Sequence, residues 1–210
     1  MFVVVSFKKL LVGTFCVLAV AVAVFGFFRL DAVGLTQGRE IREVGIHAVE
    51  TQEEKVAITF NELSQEVLTR LGHGNIRVTF FVTGVFAQQN DGLIKSAIKA
   101  GHEIGILGHT GANLRNLTNQ QIMLELETAK RVVSNVTGEK VRYFRPQFGF
   151  ERKSFNIANK LGLTTIMYSS SSLQNLQRGS IVLVNENIDA FVAKSPVSRM
   201  KFVTLSQLLK

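Results

Sequence analysis

The chain has 210 residues, 46% of them hydrophobic, with 24 Lys and Arg against 16 Asp and Glu, a net charge of +8 and an isoelectric point near 9.9. A mean hydropathy of +0.21 is too apolar for a disordered polypeptide, and two prolines beside 17 glycines exclude low-complexity and collagenous chains. A single cysteine excludes a disulfide scaffold and a cysteine-based zinc module, while the length permits one domain with a sizeable core.

Residues 1–30 contain no acidic residue, three basic ones (Lys8, Lys9, Arg29) and six of the sixteen phenylalanines. Leu10–Phe28 is an uncharged run of 19 residues. As a helix it would span about 28 Å, close to the hydrocarbon core of a bilayer. The expectation is a membrane anchor over 1–30, with a buried core helix as the alternative. Ala-x-Ala pairs at Ala19–Ala21 and Ala21–Ala23 suit a signal peptidase, but cleavage there would leave an exposed apolar start. Lysines before the span and a long polar region after it predict a single-pass protein with its C-terminal domain outside the cytoplasm. Without the three anchor charges, 31–210 keeps 21 basic and 16 acidic residues, a net of +5. No Lys/Arg run has the character of a nucleic-acid patch, so no nucleic-acid partner is expected.

Residues 31–53 read as a polar linker ending in an extended piece around Gly45–Val49, ahead of a domain over 54–210. There, short β-branched or aromatic runs recur at Val56–Phe60, Val78–Gly84, His102–Gly108, Val141–Arg145, Thr164–Ser169, Ser180–Asn185 and Phe202–Leu205. Their length and apolar content suit buried parallel strands. Helical periodicity lies between several of them. It is clearest over Thr118–Val136, with Thr118 and Gln121 as a capping box and Thr137-Gly138 as the stop. Asp91–Ala100 and Ser154–Leu161 end at Gly101 and Gly162. Strands alternating with helices predict an α/β barrel or doubly wound sheet, with any chemistry at the strand C-terminal ends.

Six ordered segments carry a resemblance: Lys55–Phe60, Val78–Gly84, Gly101–Gly105, Tyr143–Gly149, Gly179–Leu183 and Val203–Leu209. They resemble the polysaccharide deacetylases, the NodB-homology family of carbohydrate esterases, over residues 54–209. The resemblance implies a distorted (β/α) barrel of about seven strands acting on N-acetyl groups of peptidoglycan or chitin-like polymers. It also implies a divalent metal, typically zinc, held by one Asp and two His. The metal polarises the carbonyl and activates water, a second Asp is the general base, and a distant His protonates the leaving amine.

The residues at those positions depart from the family pattern. The Thr-Phe-Asp-Asp motif reads Thr59-Phe60-Asn61-Glu62 here. Asn61 takes the general-base position and cannot accept a proton at neutral pH. Glu62 takes a metal-ligand position, with an extra methylene that moves its oxygens by about 1 Å. An ungapped alignment puts Leu107 and Gly111 in the two histidine slots, whereas a shifted register offers His109 and Asn113. Arg145, which in the family steers the catalytic Asp, is left free for an anionic ligand. Gln147 replaces a proline, and Phe148 stands where Tyr is common. Met167–Ser172 lacks the family's Trp and Asp, and the segment to Gly179 is short by about a helix. Asn185 stands in place of the proton-donating His. Glu62, Arg145, Phe148 and Tyr168 remain as candidate binding residues, with Glu62 and Glu186 flanking the groove within reach of Arg145. His102 reads as a structural residue at a strand start, and His47 and His73 (the latter in a turn) as solvated.

The reading is a membrane-anchored, extracytoplasmic deacetylase-like protein without an intact catalytic or metal-binding set, which binds cell-wall glycan or an envelope protein. Two alternatives stay open. One is a residual metal-dependent hydrolase using Glu62, His109 and Asn113. The other is a purely structural envelope or sporulation component, with strand edges exposed near Ser172–Arg178.

Overall fold

The computed structural model describes residues 45–210 apart from 75, 175, 186–187 and 195–198. Among these residues lie seven strands: β1 (Lys55–Phe60), β2 (Thr79–Thr83), β3 (Glu103–Gly108), β4 (Tyr143–Phe144), β5 (Thr164–Thr165), β6 (Ile181–Leu183) and β7 (Lys201–Val203). They form one parallel sheet in the order β5-β4-β3-β2-β1-β6. β7 pairs with the first half of β1 (Lys55–Ala57), and β2 with its end (Thr59–Phe60).

Alternation along the strands builds two cores. Val56, Ile58 and Phe60 of β1, Phe80 and Val82 of β2, and Ile104 and Ile106 of β3 pack on one side with helix residues such as Leu126, Ala129 and Val133. The intervening Ala57, Phe81, Leu107, Tyr143, Ile181 and Val203 pack against one another, so the sheet curls around them. With both faces covered, the strands read as nearly continuous apolar runs rather than alternating ones. The result is an α/β half-barrel of parallel strands.

Short pieces span the open side between β5 and β6. Ile46 bridges Ile166 and Ala48 bridges Ser180, so the end of the expected linker is hydrogen-bonded into the sheet. Further along, the Ser169 N–H donates to the Ile181 carbonyl (2.9 Å) and the Leu183 N–H to the Ser170 carbonyl (3.0 Å). The run expected as one strand, Thr164–Ser169, is therefore extended but changes partner from β4 to Ile46 to β6. β4 is shorter than the expected Val141–Arg145, and its downstream end has a simple cause: Pro146 has no N–H to continue the ladder.

The helices are α1 (Gln65–His73), α2 (Gly84–Gln89), α3 (Asp91–Lys99), α4 (Asn119–Thr137), α5 (Arg152–Lys160), α6 (Ile188–Lys194) and α7 (Leu205–Leu208). α4 carries the expected capping box between Thr118 and Gln121 and stops at Gly138, whose φ of +71° suits a residue without a side chain. α1 corrects one expectation: His73 is the last residue of a helix capped by Ser64, not part of a turn, although it is exposed as anticipated. The expected anchor over 1–30 lies outside the described residues; among those described, no helix is long and apolar enough to cross a membrane.

Candidate functional site

The inward-facing row of each strand runs on into the loops at its C-terminal end, and these loops hold the residues singled out from the sequence. On β1 the row is Ala57, Thr59 and then Asn61. The Thr59 hydroxyl donates to the Val182 carbonyl (2.6 Å), which fixes the end of β1 against β6. On β4 the row is Tyr143 and then Arg145, whose N–H donates to the Ile106 carbonyl (2.9 Å).

Arg145 is the centre of the site and is only 2% exposed. Its Nη1 donates to Asn61 Oδ1 (3.2 Å) and its Nη2 to the Met167 carbonyl (3.2 Å). The guanidinium carbon lies 4.1 Å from the ring centroid of buried Phe81 and 5.9 Å from that of Tyr168, which is 42% exposed. Nε is buried and has no partner. Among the described residues no carboxylate is paired with this guanidinium. Burial pulls its pKa down to about 9, with Tyr168 opposing, so it stays a cation at neutral pH. Burying an arginine without a counter-anion is unfavourable. Hydrogen bonds to oxygen dipoles and the faces of two aromatic rings offset part of that cost.

The residues in the metal-ligand positions are placed as follows. Leu107 is buried on the inner face of β3, in the cluster with Phe81 and Tyr143. Gly111 sits beside the ends of β2 and β4, where a methyl group would lie 3.4 Å from Thr83 Cγ2 and 3.6 Å from Gln147 Oε1. Glu62 is exposed. His109 turns its imidazole against Gly84 at the start of α2, where its Nδ1 is buried without a partner. Asn113 caps a short 3₁₀ turn, its Oδ1 accepting from the Arg115 N–H (3.1 Å). These donors do not fit the family's divalent ion. Two of its three ligand positions have no donor side chain, the imidazole of the shifted register packs against Gly84, and among the described residues no three of His, Cys, Asp and Glu could hold a metal together.

Asn185 is exposed just beyond β6, Phe148 is 49% exposed in the turn after β4, and Gln147 beside it is exposed. Glu186 lies outside the described residues. Glu125 of α4 escaped the sequence reading. Its carboxylate accepts from the N–H groups of His109 and Thr110 and from the Thr110 hydroxyl, each at 2.9 Å. It thereby fixes the loop that carries Gly111. Nothing in a helical periodicity distinguishes such a residue from any solvated glutamate.

A cavity of about 210 Å³ opens at the opposite end of the strands, lined among others by Glu103, Arg142, Tyr143 and Ser206. The Glu103 carboxylate is taken up there by Thr79 and Ser206, which tie α7 to the sheet. His102 stands at the same end, 6% exposed, its Nδ1 accepting from the Val78 N–H (3.3 Å). That fits the structural role expected for it.

The family model for polysaccharide deacetylases matches residues 48–166, more than half of the chain, which therefore belongs to the polysaccharide deacetylase family. The peptidoglycan N-acetylglucosamine deacetylase PgdA of Listeria monocytogenes is 25% identical over 181 residues, covering 73% of this chain and 38% of its own length. The peptidoglycan N-acetylmuramic acid deacetylase PdaA of Bacillus subtilis is 32% identical over 126 residues, covering 57% of this chain and 48% of its own. The chain thus spans under half the length of each. Among solved structures, a family 4 carbohydrate esterase pseudoenzyme from Bacillus anthracis matches with a TM-score of 0.72 at 22% identity, over 80% of this chain and 69% of that one. A mutant of that pseudoenzyme described as having restored enzymatic activity matches with the same score.

Proposed function

We propose that this chain is a non-hydrolysing member of the family that binds cell-wall glycan at the strand C-terminal ends, held at the outer face of the membrane by residues 1–30. The observation that carries the reading is the donor set itself. Leu107 fills its position with buried hydrocarbon, Gly111 has no side chain, and Asn61 cannot act as a base. Water activation by the family's route has neither ligands nor proton acceptor. The same end of the barrel keeps surface suited to sugars. Phe148 and Tyr168 are two of the three large hydrophobic residues exposed among those described, and aromatic faces beside polar amides such as Asn61 and Gln147 suit the apolar faces and hydroxyls of a pyranose. The relatives' names point to peptidoglycan as the polymer, and the Bacillus anthracis pseudoenzyme is a precedent for the fold without its activity.

The test uses the full chain purified in detergent and exposed to zinc. Expected are no stoichiometric zinc, no acetate released from chitooligosaccharide, and retention on sedimented peptidoglycan. Bound zinc together with deacetylation would overturn the non-hydrolysing reading. Passage through peptidoglycan without retention would overturn glycan binding.

A further inference from the structure

The arrangement around Arg145 has a chemical preference of its own. A guanidinium buried to 2% exposure meets only neutral oxygens, the Asn61 amide and the Met167 carbonyl, and one of its N–H groups has no partner. Because Asn61 Oδ1 accepts from Arg145, the Asn61 amide nitrogen points away from the guanidinium. Asn61 itself is half-buried, so its NH₂ is available to a ligand. A donor lying in front of a fixed positive charge favours an anion over a neutral acceptor, because low-dielectric surroundings strengthen the attraction. Tyr168 is the exposed ring over the same guanidinium.

Resting on the glycan-binding reading above, we propose that the Asn61–Arg145 pair is a carboxylate-binding subsite, which selects glycan units bearing a carboxylate over otherwise identical neutral ones. Replacing the acidic residue by Asn61 does more than disable a base. It turns an acceptor into a donor and unmasks the charge behind it.

Two sources of the group are distinguished by three probes: N-acetylmuramic acid, which carries a lactyl carboxylate; N-acetylglucosamine, which lacks it; and sodium acetate, the free acid anion, with acetamide as its neutral control. Affinities are measured by calorimetry on the full-length chain in detergent, for the wild type and for Asn61→Asp. The variant places a carboxylate on Arg145 and repels a second one. The wild type should bind N-acetylmuramic acid at least tenfold more tightly than N-acetylglucosamine, and Asn61→Asp should abolish that preference while melting no lower than wild type. Equal affinity for the two sugars overturns the subsite and leaves glycan binding standing. Binding of acetate but not acetamide, lost in Asn61→Asp, with neither sugar bound, supports the subsite with a free acid as ligand and overturns the glycan reading. No binding of any probe overturns both. The wild-type comparison of the two sugars decides the matter even if Asn61→Asp does not fold.

Discussion

Acidification should weaken this fold through one side chain, His102. Its imidazole is 6% exposed, accepts the Val78 N–H on Nδ1 and meets the Phe80 ring edge-on at 5.3 Å between centroids. Only the neutral ring can accept at Nδ1, so the native state holds His102 unprotonated. Burial is the main cause that pulls its pKa from 6.5 to about 4, with nearby Arg77 adding to it. The unfolded chain takes up its proton first, near pH 6.5. The contribution of His102 is therefore complete above that pH and is lost as pH falls toward 4. The difference between the two pKa values corresponds to about 3 kcal/mol, or a drop of roughly 6–12 °C in melting temperature for a domain of this size.

The assay is thermal unfolding of the full chain between pH 7.5 and 4.5, beside His102→Asn. Asparagine can still accept the Val78 N–H but does not titrate. The variant should start about 1–2 kcal/mol lower at pH 7.5, because the packing on Phe80 is lost, and should then change much less with pH than wild type. Parallel pH profiles for the two proteins would refute the assignment, since the pH dependence would then come from other groups.

Asn61→Asp should raise stability at pH 7 by about 2 kcal/mol. Opposite charges about 4 Å apart attract by roughly 4 kcal/mol at an effective dielectric of 20, and desolvating a half-buried carboxylate offsets part of that. The gain should begin to shrink below about pH 4, where the unfolded chain protonates, and be lost only as the pH falls through the lower pKa that Arg145 gives the folded carboxylate; a variant less stable than wild type at pH 7 would contradict the view of Arg145 as an uncompensated cation. Gly84→Ala should cost about 2 kcal/mol, because a methyl group there would strike the His109 imidazole and come within 3.2 Å of Ala129 Cα. Chemical denaturation of the double variant with His109→Ala should recover part of that loss, and an unchanged cost would show that the imidazole is not the obstacle. Leu107→His should destabilise the metal-free protein by about 1–3 kcal/mol, since it buries a polar ring where Phe81 and Tyr143 supply only hydrocarbon. An unaltered melting temperature would argue that this position is open to water.

The sequence made the fold legible where local signals agree with the tertiary ones. α4 is the plainest case, because its cap, apolar stripe and terminal glycine all mark the same helix. Strands β1, β2 and β3 stood out because both their faces are buried. β4 and β5 were read as too long, since the sequence shows that a segment is extended but not which neighbour its N–H groups reach. α1 was missed: with Leu68 and Leu71 its only buried residues, it has too few apolar positions to show a period. At the site, the family motifs located Asn61 and Arg145, Tyr168 was a binding candidate outside them, and the structure brings these three together. The direction of a side chain was not legible. His109 stands in a loop beside the site, yet its ring packs on Gly84 at the start of α2, where the absence of a side chain leaves room for it.

The replaced positions also differ in what they do for stability. Asn61 retains the shape of an aspartate and still accepts from Arg145, so the buried cation keeps a partner although the charge is gone. Leu107 goes further: without a metal, a histidine there would be a buried polar ring with nothing to bond, and leucine replaces that cost with apolar contact inside the barrel. Gly111 removes a side chain from a loop that Glu125 holds independently through three hydrogen bonds. Each of these side chains is compatible with a half-barrel in which no ion is bound. Arg145 is the exception. Its burial among neutral groups, the Asn61 amide, the Met167 carbonyl and the Phe81 and Tyr168 rings, is unfavourable. An anionic ligand at the outward-facing Asn61 amide, as proposed above, would supply the missing negative charge.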